Sequence, residues 1–194
     1  MVVKRDIRSL SIDELKEILE ENSFQSFRAK QIYHWLWKKS SHDFSSMHNL
    51  PNKLLTFLEN NFVIRNIEIS KQQKSKDGTI KNAIKLFDDL IVECVLIPSK
   101  DRITACVSSQ VGCSLNCKFC ATARLKRMRN LNADEIYDQV VLIAKQSQDF
   151  YKRPLTNIVF MGMGEPLMNY KNVTKAIEMI TSNEGLGMSS KRIV

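Results

Sequence analysis

The spacing of apolar residues changes period twice along the chain. Up to about residue 64 the apolar positions fall three and four apart, as on a helix with one buried face. Ser11-Ile12-Asp13-Glu14 has the form of a capping box, and Leu15, Ile18 and Leu19 supply the apolar stripe behind it. A second helix is predicted over Phe27–Trp37, and a third after Pro51 through Leu54, Leu55 and Leu58. Phe24, Phe27, Trp35, Phe44, Phe57 and Phe62 are expected to form the core of a small helical domain. Arg28, Lys30, Lys38 and Lys39 would then be the exposed cations of this domain. His34, His42 and His48 have no ligand spacing among themselves and read as surface residues.

From about Asn66 the period shortens to two. Ile67 and Ile69 alternate with polar residues, Asp77-Gly78 predicts a type I′ hairpin turn, and Ile80–Phe87 returns. Asp88-Asp89 turns the chain into Leu90–Ile97, which Pro98 closes. A further strand, Ile103–Val107, leads straight into a run of cysteines. Beyond it the rhythm is helix, strand, helix. Asn132 caps a helix with Ile136, Val140, Ile143 and Ala144 on one face, Asn157–Met161 is a short buried strand, and Asn172–Ile180 is amphipathic. Strands alternating with helices imply a parallel sheet with ligands at the carboxyl ends of its strands. Arg192-Ile193-Val194 begins another strand. Two βα units cannot close a barrel, so the sequence reads as cut short. The expected class is α/β (α+β overall): a helical domain over residues 1–64, a β-meander linker over 65–98, and the first βα units of an incomplete barrel over 99–194.

Composition narrows the class. With 43% hydrophobic and 26% charged residues the chain reads as globular, and no stretch approaches the roughly 20 apolar residues of a membrane span. Met1–Arg8 contains no apolar signal core, so a cytoplasmic address is expected. Cysteines stay reduced there, and five of them, three clustered, point to metal and redox chemistry. A net charge of +8 suits a polyanionic partner, most often nucleic acid. Lys118, Arg124, Lys126, Arg127 and Arg129 surround the cysteine run with no acid among them. They form either a solvated loop or a guide for phosphates.

Cys113, Cys117 and Cys120 follow a C-x3-C-x2-C spacing. A structural zinc site closes with a fourth protein ligand, whereas three thiolates on a [4Fe–4S] cluster leave one iron open. The second motif is Met161-Gly162-Met163-Gly164-Glu165-Pro166, at the end of a predicted strand. It fails as a dinucleotide fingerprint because Leu167 stands where the third small residue belongs. Its glycines would let a ligand approach the backbone, and Glu165 offers a carboxylate to an ammonium group.

The cysteine spacing is that of radical S-adenosylmethionine (SAM) enzymes, and Phe119 fits the aromatic usual before the last cysteine. Together with Phe27–Ile32, Asp77–Lys81, Cys106–Cys113 and the Met-Gly-Met-Gly-Glu-Pro run, it makes the chain resemble the bacterial radical SAM adenine-C2 methyltransferases from about Leu10 to Val194. Glu165-Pro166 favours this branch over the related C8-methylating resistance enzymes. The resemblance implies a partial (β/α) barrel, a [4Fe–4S] cluster, SAM, and adenosines of 23S rRNA and tRNA as substrates. It also implies a monomer fed by an electron donor such as flavodoxin or ferredoxin.

The family's chemistry follows from the electron-poor character of adenine C2, which rules out direct displacement of a methyl group from SAM. One SAM methylates a carrier cysteine. A second, cleaved at the cluster, yields a radical that takes hydrogen from that methyl group, and the methylene adds to C2 to give a protein–RNA adduct. A base then removes the C2 proton, and another cysteine resolves the adduct by forming a disulfide. By resemblance, Cys113, Cys117 and Cys120 hold the cluster, and Gly164 and Glu165 contact SAM. Glu93 is the proton acceptor and Cys106 the resolving cysteine, whose ionisation cationic surroundings would favour. Cys94 receives no role. The family's methyl-carrying cysteine and a further SAM-contacting serine are not among these 194 residues, so the chain alone is expected to be inactive. Two other readings stay open: a radical SAM enzyme acting on a protein, and a non-catalytic zinc-bearing RNA-binding module.

Overall fold

The computed structural model describes residues 4–194; the start of the expected leader-free terminus, residues 1–3, lies outside the described residues. Two compact units are present: the chain up to Arg65 with Ser182–Gly187, and Asn66–Thr181 with Met188–Val194. No helix among the described residues is long and apolar enough to cross a membrane.

In the first unit, β1 (Arg5–Asp6) pairs in parallel with β2 (Phe62–Val63), and between them lie α1 (Ile12–Glu21), α2 (Arg28–Tyr33) and α3 (Asn52–Asn61). α1 begins where the sequence places it. Ser11 accepts the Glu14 amide at 3.1 Å and the Glu14 carboxylate accepts the Ser11 amide at 2.6 Å, a cap worth about 1 kcal/mol. α2 does not continue regularly to Trp37. It widens into a π-type turn over His34–Lys38, closed by the Lys39 amide on the His34 carbonyl. The extra residue in that turn lets two consecutive side chains, Leu36 and Trp37, both point into the core.

That core is largely aliphatic around Trp37, with Ile7, Leu15, Ile32, Met47 and Leu54 fully buried. Of the aromatics expected in it, Phe44 and Phe62 are buried, whereas Phe24, Trp35 and Phe57 are only half-buried. Phe27 is 51% exposed, with the Arg28 guanidinium 4.8 Å above its ring. Arg28 is not the free surface cation that the pattern implied, since it is half-buried and donates to Gln31 and the Asn49 carbonyl. Lys30, Lys38, Lys39 and the three histidines are exposed. Asp6, buried, accepts the amides of Arg8 and Arg65, each at 2.8 Å, and so fastens the two ends of the unit together.

The second unit is built on a sheet of β3 (Glu68–Lys74), β4 (Ile80–Lys85), β5 (Ile91–Pro98), β6 (Ile103–Cys106) and β9 (Asn157–Val159), in that order. Neighbours are antiparallel as far as β6; β6 and β9 are parallel. Between them run the small pair β7 (Gln110–Val111) and β8 (Arg129–Asn130), then α4 (Ala133–Tyr151); α5 (Tyr170–Thr181) follows β9. Ile193 bridges Ile158 in parallel, in keeping with the strand expected to start at 192–194. The meander strands and the parallel strands thus share one sheet.

Two local expectations are corrected. The Asp77-Gly78 turn is not type I′, which needs positive φ at both central residues; only Gly78 has it, at +90°. Asp77 instead accepts the Thr79 amide and hydroxyl, and the Gly78 amide returns to the Ser75 carbonyl. Ile69 does not mark a buried face either, because every residue of β3 is exposed, and Ile67 lies just before that strand, half-buried. β3 is an edge strand, and its lysines discourage pairing with another chain.

One face of the sheet buries Ile80, Ile84, Val92, Leu96, Ile103 and Ile158 beneath α4, whose Ile136, Val140 and Ile143 are fully buried; α5 packs on α4. Each such side chain contributes about 1.5–3 kcal/mol by leaving water. Asn82 of β4 and Gln146 of α4, both buried, exchange two hydrogen bonds of 3.0 and 2.8 Å and so fix the register of helix on sheet. The opposite face carries Lys81, Ala83, Glu93, Val95, Cys106 and Val159, none of them fully buried.

Candidate functional site

The carboxyl ends of β6 and β9 lie side by side, the position where parallel sheets receive ligands. Beyond β6 the chain runs Val107–Gln110; beyond β9 it runs Met161–Glu165. The Gly162 amide donates to the Val107 carbonyl at 3.0 Å, and the Ser109 and Gln110 amides donate to the Met163 carbonyl at 2.8 and 3.1 Å. A Cβ at Gly162 would lie 2.7 Å from Ser108 and Val107. At Gly164 (φ +97°) it would lie 2.5 Å from Gln110. What crowds these glycines is therefore the chain's own adjoining segment, not only the ligand the sequence invited.

Glu165 is fixed at the end of that turn. Its amide donates to Gln110 Oε1 at 2.9 Å, and its carboxylate accepts the Leu167 amide at 3.0 Å, capping a short turn at Pro166–Asn169. A carboxylate keeps acceptor capacity beyond one such bond, enough for an ammonium group.

Glu93 and Cys106 share the open face of the sheet. Cys106 is paired across strands with Val95, which places Glu93 one step along the same face. The Glu93 carboxylate meets Lys81 Nζ at 2.6 Å. Ser108 joins this strand to the glycine turn, its hydroxyl donating to the Glu93 carbonyl at 2.5 Å and accepting the Met163 amide at 2.8 Å. Burial pushes the Cys106 thiol up, partly offset by a hydrogen bond from the Met161 backbone. The Cys94 thiol is pushed up to about 12, chiefly by burial, and lies on the helix-covered face beneath Asn82. All five cysteines are free, so the disulfide expected of Cys106 is not formed. Alternation along β5 turns Cys94 away from the face that Cys106 occupies.

The three remaining cysteines lie on a loop held at its base by β7 and β8, with the Met128 amide on the Val111 carbonyl at 2.8 Å. Gly112 (φ +73°) presses against the backbone of Lys126; a Cβ there would lie 2.2 Å from the Lys126 carbonyl oxygen. The Cys120 amide donates to the Cys117 carbonyl, which keeps these two residues in one turn. Backbone amides of Ala123 and Thr122 draw the Cys120 thiol below its ordinary range, favouring the thiolate that binds metal. A cleft of about 550 Å³ is lined by Cys113, Arg124, Lys126 and Arg127, among others. Three thiols on a stretch free of carboxylate and imidazole fit a soft iron–sulfur centre, although among the described residues no three ligand side chains converge on one point.

Arg129 leaves the basic group to which the sequence assigned it. It forks onto Asp88 at 2.6 and 3.0 Å and onto Glu135 at 2.8 Å twice, stacking 5.0 Å from the Phe87 ring. It thereby clamps the turn before β5 to the first turn of α4, where Glu135 also caps the Asn132 amide.

Sequence reasoning assigned no role to Ser108 or Gln110, although both lie in the Cys106–Cys113 run, and did not single out Gln139. Gln139, fully buried, accepts the Ser108 amide at 2.9 Å and donates to the Ser108 and Glu135 carbonyls. Its signal was available: a glutamine interrupting the apolar stripe Ile136–Val140–Ile143. Gln139→Leu leaves a buried amide and carbonyl of Ser108 without a partner and is expected to cost about 2 kcal/mol, read as a lower urea midpoint at unchanged slope.

Comparison with known proteins places this geometry. Residues 5–64 match the family described as the ribosomal RNA large subunit methyltransferase N-terminal domain, and residues 107–193 match the radical SAM superfamily. A probable dual-specificity RNA methyltransferase RlmN of Flavobacterium johnsoniae is 59% identical over 99% of this chain and 55% of its own length. The dual-specificity RNA methyltransferase RlmN of Campylobacter hominis is 43% identical over 97% of the chain and 55% of its own length. The crystal structure of a radical SAM methyltransferase from Sphaerobacter thermophilus superposes with a TM-score of 0.84 at 36% identity, covering 97% of this chain and 55% of that one. The chain spans about half the length of the curated relatives it matches. The radical SAM match and these relatives imply a [4Fe–4S] cluster and SAM as cofactors. Both family matches fall in chain order, and the chain is similar along nearly its whole length to the RlmN dual-specificity RNA methyltransferases, of which it spans about half.

Proposed function

We propose that the full-length protein containing this chain methylates C2 of adenosine in 23S rRNA and in tRNA. The observation that carries this reading is the juxtaposition at the end of β6 and β9. One strand leads from Cys106 into the cysteine loop, its parallel neighbour leads into the Gly164–Glu165 turn, and Glu93 stands on the same face as Cys106. Cys113, Cys117 and Cys120 would hold the cluster, and Gly164 with Glu165 would receive the methionyl amine of SAM. Bound there, these cofactors supply one-electron chemistry that unactivated C2 requires.

The chain's own residues do the rest by placement. Glu93 accepts the C2 proton of the adduct. Cys106, kept protonated by burial, is the thiol that releases the product and must lose its proton as it acts. The exposed cations Lys118, Lys126 and Arg127 attract RNA phosphates beside the cysteine loop; the helical unit carries exposed cations of its own in Lys30, Lys38 and Lys39. The domain reading of residues 1–64, 65–98 and 99–194 as accessory, linking and catalytic parts belongs to this proposal, as do a cytoplasmic address, a monomeric state and a flavodoxin- or ferredoxin-type donor.

Two measurements test it. Reconstituted without oxygen, the chain is expected to take up iron and sulfide with the visible charge-transfer absorption of a thiolate-bound cluster; stoichiometric zinc in place of iron would favour the RNA-binding module instead. RNA from cells lacking the full gene is expected to lose 2-methyladenosine from both rRNA and tRNA, and its persistence in both would refute the substrate assignment. The 194-residue chain alone, given SAM and reductant, is expected to make none.

A further inference from the structure

Glu93 is held at two points, and they differ in kind. Its backbone is tied through Ser108 to the Met163 amide, which registers β5 against the glycine turn. Its side chain rests on Lys81 at 2.6 Å. As a contribution to stability that contact is small, because the two side chains are 47% and 45% exposed and such pairs are worth about 0–1 kcal/mol. Its position is more informative. Across β4 and β5, Ala83 is the partner of Glu93 and Lys81 the partner of Val95, so the lysine reaches diagonally over an alanine to find the carboxylate. The small alanine leaves a cleft of about 220 Å³, lined by Lys71, Gln73, Lys81, Ala83 and Glu93, open beside the acid.

We propose that Lys81 is a positioning residue for Glu93, holding one carboxylate oxygen so that the other is presented along the face it shares with Cys106. This rests on the reading of Glu93 as the proton acceptor. A glutamate side chain has three rotatable bonds, and a misplacement of about 1 Å costs on the order of 100-fold in a positioned reaction. An ammonium group carries three donors and no acceptor, so it can fix one oxygen without competing for the proton. In the step served, the C2–H bond breaks, an O–H bond forms on Glu93, and the electron pair stays on the adduct's ring. The ionisable groups around Glu93 are Lys71 from β3, Lys81 from β4 and Cys106 from β6.

The test has a structural and a kinetic arm. In this chain, a carbodiimide is expected to join Lys81 to Glu93 as an amide with loss of one water, seen as a linked peptide pair; its absence overturns the contact. In the full-length enzyme, Lys81→Met is expected to slow decay of the covalent protein–RNA adduct about tenfold, short of the 10²–10⁴ of a general base itself, with KM for RNA unchanged. Lys81→Arg is expected to restore most of that rate. Glu93→Gln, run in parallel, separates the two readings. If it fails to accumulate adduct, the proton-acceptor assignment falls. If it accumulates adduct while Lys81→Met does not, only the role of Lys81 falls. A raised KM with normal adduct decay would make Lys81 a phosphate contact and overturn the proposal.

Discussion

Gly112→Ala is expected to detach the cysteine loop and abolish iron uptake while leaving the sheet intact. At φ +73° an alanine is strained before any contact is considered, by about 1–2 kcal/mol. Its methyl group would also sit 2.2 Å from the Lys126 carbonyl oxygen and 3.0 Å from Arg127 Cα. Both are backbone atoms, so no side chain can swing aside, and overpacking of this kind adds about 1–3 kcal/mol. The loop's cheapest relief is to separate β7 from β8, which are joined over only two residue pairs. We therefore expect a loss of about 3–4 kcal/mol confined to that pair, faster proteolysis between residues 113 and 127, and more than tenfold less iron bound on reconstitution. Retained far-ultraviolet dichroism would show that the rest of the unit persists. Wild-type iron uptake by the variant would show that the loop tolerates the strain and that Gly112 is not its hinge.

Arg129→Leu is expected to destabilise the second unit by about 3 kcal/mol and to change how it responds to acid. The Glu135 carboxylate is only 3% exposed, and removing its partner strands a charge out of water, a change that typically costs about 3–5 kcal/mol. The lower end applies because Arg129 and Asp88 are each about a quarter exposed. Burial disfavours the Arg129 charge, but its two carboxylate partners outweigh this and its pKa is raised. The hydrogen bond from Arg129 holds the Asp88 carboxyl below its ordinary value of 3.8. A carboxyl depressed by folding binds a proton less readily folded than unfolded. Its contribution is thus complete above pH 3.8 and is lost as pH falls through the lower, folded value. Denaturant midpoints measured from pH 7 down to pH 2 are expected to fall for the wild type at the acid end, and to fall less for the variant. Equal slopes in the two would remove Arg129 as the cause. Arg129→Lys is expected to recover part of the stability, since one ammonium cannot fork onto two carboxylates.

These two effects also mark where sequence reading succeeds and fails. The caps of α1 and α4 were legible because each is local: a Ser or Asn followed three residues later by Glu. The cysteine spacing and the Gly-Glu turn were legible for the same reason. Arg129 was misplaced because charge along a sequence says nothing of the acids folding will bring, and Asp88 lies 41 residues away. Phe27 was assigned to a core, yet it stands at the N-cap of α2 with half its surface in solvent, and no periodicity rule anticipates the π-type turn that follows that helix. β3 alternates on paper, yet it is an edge strand whose residues are all exposed, so neither of its faces is buried.

By itself the sequence determined the helices with their caps, the order of strands along the chain, and the residue types that can bind iron and an amine. Each of these depends on neighbours within a few positions. Only the tertiary structure decided that β6 and β9 are adjacent and parallel, so that the cysteine loop and the Glu165 turn leave the sheet side by side. It alone decided that Lys81, Glu93 and Cys106 share a face, since strand register converts positions far apart in sequence into one surface. It also gave the site glycines their reason. They are required where two segments of the same chain pass closer than any side chain would allow, a distance that exists only after folding.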